Sequence, residues 1–236
     1  MINYRGLRIP FTSFGNVSSD DLFCDKEQAL FDFYAANYDR YKKALDIGAN
    51  IGVHTMLMLK AGWYVKAYEP DPVHFKLLYK NLVNNGFMGG KYSIGHKRVE
   101  IAQWGVSDHS GTMSFVRVLG NTTGSHILGD KEPYGPTRTI AIEVCDCKPL
   151  FEWADFAKID CEGHEAKLLT AYEGDPCDFM VEVGNYKNAQ AIFKHFHGRR
   201  KLWGQNNQWR EIKKVGDMPS HHSHGALFIS DQPPFQ

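Results

Sequence analysis

A doubly wound α/β fold with a mostly parallel sheet is the architecture this sequence predicts. Short apolar runs at 43–47, 64–68, 98–105, 156–160 and 179–183 have the length of buried strands. Segments with helical spacing follow most of them, at 53–61, 72–85, 164–172 and 189–197. Such alternation is the pattern of parallel strands covered on both faces. The chain has 236 residues, 43% of them apolar or aromatic, which suffices for one sizeable core.

Residues 1–42 read as an N-terminal cap. Within it, 2–12 is expected as a short strand or hairpin. Residues 25–38 are expected as a helix, because Ala29, Leu30, Phe33 and Tyr34 recur at three- and four-residue steps. The core then occupies 43–236. Gly62 stops the helix at 53–61, and Gly86 stops the one at 72–85, which carries a proline in its first turn. An insertion at about 111–145 adds strands at 112–118 and 139–144. The loop joining them, 119–137, is rich in Gly, Pro, Thr and Ser. A final strand is expected at 226–230, and 1–236 together read as a single domain.

Charge and cysteine usage exclude several classes. The 27 Lys and Arg cancel 27 Asp and Glu. A general nucleic-acid coat or a binder of anionic membranes would need excess positive charge. No run approaches the roughly 18 apolar residues of a membrane span. The opening residues lack a charged segment followed by an apolar one, so no secretory signal is read there. The five cysteines are odd in number and irregularly spaced, which reads as reduced thiols in a cytoplasmic protein. Cys145 and Cys147 are too close for a zinc knuckle, and no second pair follows.

The most informative stretch is 44–53. A strand runs into a glycine-containing turn and then a helix, so Gly48 and Gly52 let the backbone approach a ligand closely. A dinucleotide fingerprint fails here, because Asn50 replaces its middle glycine and Val53 its last. The Gly-Lys-Ser/Thr of a phosphate-binding loop is missing too. Asp46, two residues before Gly48, suits a ligand bearing positive charge and would repel a pyrophosphate. Glu69 closes the next strand, about 20 residues on, where an acid can accept both hydroxyls of a ribose.

Four motifs fall in one order: DIGANIG at 46–52, EPDP at 69–72, GVSDHSG at 105–111 and KIDCEGHE at 158–165. With them, the chain closely resembles the FkbM-type family of class I S-adenosylmethionine-dependent methyltransferases over roughly residues 44–183. The resemblance implies a seven-stranded Rossmann-like sheet, S-adenosylmethionine as methyl donor and, most often, a hydroxyl oxygen as acceptor. It implies that Asp46, Gly48, Asn50 and Gly52 surround the methionine and ribose part and that Glu69 holds the ribose hydroxyls. It also implies that Gln103, Trp104 and Asp108 border the adenine. His164 stands where the family has a small residue, and the C-terminal fifth finds no counterpart.

Ligands of open α/β sheets bind beyond the carboxyl ends of the strands. Asp160, Glu162 and His164 fall there after one strand, and Glu182 after the next. Three roles are open to these acids: general base on an acceptor hydroxyl, ligands of a divalent cation, or helix caps that orient substrate. A complete metal ligand set is missing, so the cation is not favoured. His164 is a candidate base because Asp160 and Glu162 lie beside it. His54 is expected on a helix surface, and His221, His222 and His224 in a solvated loop, with a base, a metal ligand or a substrate contact as the alternatives. Residues 187–214 carry eight Lys and Arg against Glu211 alone, with Trp203 and Trp209 among them. That stretch suits an anionic or sugar-bearing acceptor, a nucleic-acid strand, or an ordinary solvated face.

Together these features predict transfer of a methyl group to a hydroxyl of a small molecule or a sugar unit. The catalytic candidates are Asp160, His164, Glu162 and Glu182. The loop 119–137 is expected to cover the acceptor. An RNA or protein acceptor on the same fold, or a non-catalytic binding module, are the competing readings.

Overall fold

The computed structural model describes residues 4–89, 98–132, 134–174, 176–206, 208–219 and 225–235. The first half holds α1 (Asp25–Ala36), β1 (Lys43–Ile47), α2 (Val53–Lys60), β2 (Tyr64–Tyr68), α3 (Pro72–Asn84) and β3 (Val99–Ala102). Next come β4 (Gly105–Ser107), β5 (Gly111–Val118), β6 (His126–Ile127), β7 (Thr137–Asp146) and α4 (Lys148–Trp153). The chain closes with β8 (Phe156–Ile159), α5 (Glu165–Thr170), β9 (Asp178–Glu182), α6 (Tyr186–Phe196), β10 (Leu202–Asn206), β11 (Gln208–Glu211) and β12 (Ala226–Ile229).

One sheet has the order β11-β10-β12-β9-β8-β1-β2-β3. Strands β3, β2, β1, β8 and β9 are parallel; β12 runs antiparallel to β9. The doubly wound, mostly parallel α/β sheet is therefore present. It has eight strands where seven were expected, because the basic stretch forms the hairpin β10–β11, whose β11 adds an edge. Strand order reverses at β1, with β2 on one side and β8 on the other. A crevice opens beyond the carboxyl ends at such a switch point.

The run expected as one strand at 98–105 is split. Gln103 and Trp104 leave the main sheet, and β4 pairs with β7 in a second sheet of order β4-β7-β5-β6. This second sheet is the insertion, with strands somewhat longer than expected. No strand forms over 4–12, because the backbone of Arg8 is held by a side chain: its N–H donates to Asn85 Oδ1 and its carbonyl accepts from Asn85 Nδ2. Helix α3 starts where Asp71 accepts from the N–H groups of Val73 and His74, with Pro72 in the first turn.

The N-terminal segment is more than a lid. Phe33 of α1 lies 5.4 Å from Phe156 of β8 and 5.1 Å from Phe228 of β12, ring centre to ring centre. Tyr34 meets Trp63 at 5.8 Å in the same cluster. Each such ring, fully buried, contributes about 1.5–3 kcal/mol through apolar area alone. Helix α1 is thereby fixed on the sheet, close to the strand ends. All five cysteines are free thiols, and no helix is long and apolar enough to cross a membrane among the described residues.

Candidate active site

The turn after β1 holds Gly48 at φ +76°, Asn50 at +52° and Gly52 at +89°. A Cβ on Gly48 would lie 1.8 Å from the Asp160 carbonyl oxygen, so the turns after β1 and β8 touch through a position only glycine fits. Lys158 binds them as well: its Nζ donates to the Gly48 carbonyl and to Asp160 Oδ2, each at 3.2 Å. It also sits 3.7 Å from Asp46 Oδ1. Burial works against the Lys158 charge, but Asp160 and Asp46 outweigh it and hold its pKa above the ordinary value. Asp46 is buried behind the turn; its Oδ2 accepts from Thr55 Oγ1 at 2.5 Å.

Glu69, at the end of β2, is tied to the same turn. Its Oε2 accepts from the Asn50 N–H at 2.7 Å and its Oε1 from the Asp71 N–H at 2.8 Å. Burial raises its pKa to about 8 in spite of those two donors. A cleft opens beside it, lined by Gly48, Asn50, Glu69, Trp104, Phe115 and Asp160 among others. Trp104 is 48% exposed at its rim. The insertion loop borders this cleft through Thr122, Thr123 and Ser125, and Thr122 Oγ1 is 2.9 Å from His74 Nε2.

Two further hollows adjoin the cleft. One is lined by Ala49, Asn50, Ile51, Val53, Glu27, His54, Asp160, Glu162 and Glu182, with others. The second reaches outward from Glu27, His54, Asp160 and Glu182 toward Gln205 and Ala226. Asp160 lines all three spaces. Glu182 sits at the mouth, and the charge of Asp160, followed by burial, pushes its pKa well above the carboxylate range. Burial and Asp160 also raise Glu162, against the pull of Lys131 at 2.7 Å.

The structure thus brings Gly48, Asn50, Glu69, Trp104, Asp160, Glu162 and Glu182 around connected spaces. Other expected residues lie elsewhere. His164 is buried under the β8 turn and does not reach any of these spaces. Its Nδ1 is 2.6 Å from Asp130 Oδ2 and its Nε2 is 3.0 Å from Ser107 Oγ. Both ring nitrogens are engaged, so it clasps the insertion loop to the β8 turn and is not placed to act as a base. Asp108 is not part of the cleft lining. Burial opposes its ionisation, but hydrogen bonds with His109, Lys167 and Ser107 hold its pKa at about 2. Gln103 is exposed and outside the cleft lining. Gly52 acts on packing: a Cβ there would strike the Leu78 side chain at 2.5 Å. The histidines His221, His222 and His224 fall outside the described residues.

Four residues at the site escaped the sequence. His54 was expected on a helix surface, yet it lines both hollows and pairs with Tyr34 and Glu27. Its position two residues past Gly52, in the first turn of the helix, is the signal that could have found it. Glu27 lies on a helix with no motif. Lys158 reads as one polar residue in a buried strand. Glu165 is buried and accepts from the N–H groups of Cys161 and Gly163 and from Asn188 Nδ2, which fixes the β8 turn. Trp203 and Trp209 of the basic stretch pack against the core, and Arg200 is paired with Asp178 at 2.7 Å. Among the described residues no three His, Cys, Asp or Glu cluster as metal ligands do.

Residues 46–213, more than half of the chain, match the pattern of the methyltransferase FkbM domain. No curated protein matches. Among solved structures, the chain is similar to the SAM-dependent methyltransferase from Agrobacterium tumefaciens, at 11% identity and a TM-score of 0.48. That likeness covers 89% of this chain, which spans 63% of the other. It is similar also to the METTL16 methyltransferase domain, at 13% identity and a TM-score of 0.49, over 96% of this chain and 74% of that one. A precorrin-6y C5,15-methyltransferase from Geobacter metallireducens shares 8% identity at a TM-score of 0.45, over 86% and 87% of the two chains.

The residues present fit S-adenosylmethionine, the methyl donor of such enzymes. Glu69 offers a carboxylate on the cleft at the end of β2, and Asn50 Oδ1 is buried without a hydrogen-bond partner among the described residues.

Proposed function

We propose, for a chain that belongs to the FkbM methyltransferase family, that it methylates a hydroxyl oxygen of a small molecule or sugar unit. Bound S-adenosylmethionine supplies a methyl group already activated on a sulfonium. This chain's residues then have three tasks: to hold the donor, to align the hydroxyl, and to take up its proton. Glu69 and the Gly48–Asn50 turn hold the nucleoside side. Thr122, Thr123 and Ser125 edge the cleft on the insertion side and limit the entry of water.

Asp160 is the residue we assign to the proton. The observation that carries this is its position as the one side chain common to the cleft and both hollows. A hydroxyl lying in the outward hollow, beside Asp160 and Glu182, would meet it. Lys158 fixes Asp160 Oδ2 at 3.2 Å and leaves Oδ1 to the acceptor. An alkyl hydroxyl is a poor nucleophile until its proton begins to leave, so a fixed carboxylate accelerates the attack. The acid-lined hollows repel a polyanion such as RNA, and the tryptophans of the basic stretch are half-buried against the core. Both features support a small, uncharged or cationic acceptor.

Asp160→Asn is the test. With a panel of hydroxylated sugars and alcohols, turnover should fall about 10²–10⁴-fold. Binding of S-adenosylhomocysteine, measured by calorimetry, should persist. Full turnover by the variant would overturn the assignment.

A further inference from the structure

We propose that Glu27 is a cofactor-binding residue, whose carboxylate accepts a hydrogen bond from the ammonium of the donor's methionine chain. The inference rests on S-adenosylmethionine as the donor and extends the site to a helix outside the 46–213 match.

The first argument is continuity of space. A nucleoside whose ribose meets Glu69 lies against Asn50, and the hollow beyond shares Asn50, Thr123, Asp160 and Glu162 with the cleft. Ala49, Asn50, Ile51 and Val53 line it together with Glu27 and His54. A chain leaving the ribose past Asn50 therefore runs toward Glu27.

The second argument is how Glu27 is held. The Tyr34 hydroxyl is 2.8 Å from His54 Nδ1, and His54 Nε2 is 3.1 Å from Glu27 Oε2. Tyr34 is buried, and that burial keeps its proton on the phenol. His54 Nε2 lies at ion-pair distance from Glu27 Oε2 without hydrogen-bond geometry, and Oε2 has no hydrogen bond among the described residues. A buried carboxylate oxygen in this state calls for a donor.

Charge is the third argument. Asp160 is paired with Lys158 and Glu162 with Lys131, whereas Glu27 has no Lys or Arg at ion-pair distance among the described residues and meets the Lys158 charge only at longer range. An ammonium in the hollow supplies positive charge and N–H donors to the Glu27 carboxylate, whose side chain is 24% exposed.

Calorimetry on the full chain with two ligands tests this. S-adenosylhomocysteine carries the ammonium, and 5′-methylthioadenosine lacks it. Glu27→Gln, nearly isosteric, should weaken S-adenosylhomocysteine about ten- to hundredfold and leave 5′-methylthioadenosine within about twofold. Equal affinity of both proteins for S-adenosylhomocysteine would overturn the proposal, as would equal weakening of the two ligands, which marks a general loss of the pocket. Failure of the unmodified protein to bind either ligand would strike the donor assignment itself, and the proposal with it.

Discussion

Two turns meet at the switch point of the sheet, and they are built differently. The turn after β1 carries Gly48, Asn50 and Gly52 at positive φ; the turn after β8 carries Glu162 at +54° and Gly163 at +118°. Each is tied by a buried carboxylate that accepts backbone N–H groups: Glu69 from Asn50 and Asp71, Glu165 from Cys161 and Gly163. Glu69 faces the cleft, whereas Glu165 faces the protein interior and does not line it. A buried acid at a strand end is therefore no mark of ligand binding by itself. What separates the two is the open space in front of Glu69.

The contact between the turns is the place to break this arrangement. Gly48→Ala would force a Cβ against the Asp160 carbonyl and hold alanine at φ +76°. We expect a loss of about 2–4 kcal/mol in urea unfolding, from strain plus overpacking. Next in size is Glu165→Gln, which turns one acceptor oxygen into a donor facing N–H groups. About 1–3 kcal/mol of stability should go. The sign with pH follows from burial, which raises Glu165 from 4.5 to about 7. Its stabilising contribution is complete below 4.5 and is lost as pH rises to 7, so the variant should show a flatter melting temperature across that window.

Glu69 sharpens the comparison through binding. With its pKa at about 8, it is mostly protonated at pH 6.5 and loses acceptor capacity for two ribose hydroxyls. S-adenosylhomocysteine should bind about tenfold more tightly at pH 8.5 than at 6.5, since each unit below the pKa adds up to about 1.4 kcal/mol. Glu69→Gln should abolish that dependence. The smallest effect belongs to Asp108→Asn: the residue is partly exposed and lies outside the cleft, so affinity should stay within about twofold and stability within about 1 kcal/mol.

The β1 turn was legible because its needs are met by residue type. Glycines at 48 and 52 and the acid at 69 carry the signal in single letters. The β8 turn was only half legible, since Asp160 showed by position while Glu165 looked like an ordinary acid at a helix start. His164 misled for the same reason: adjacency to acids in sequence said nothing of Asp130 and the buried Ser107 that take its nitrogens. Glu27 and His54 are 27 residues apart and meet only because Phe33 and Tyr34 pin α1 to the sheet. The hairpin β10–β11 was hidden by its charge, because edge strands need no continuous apolar run.

Strand β12 follows β10 in the chain but lies between β9 and β10 in the sheet. During synthesis, the parallel strands through β9 can associate as they emerge from the ribosome, while β10 and β11 have no neighbour to dock on. Until β12 arrives, the β9 edge presents unpaired backbone groups to any other chain nearby. A nascent chain stalled between residues 206 and 226, or a protein nicked there, would keep its donor-binding turns and expose a template for aggregation.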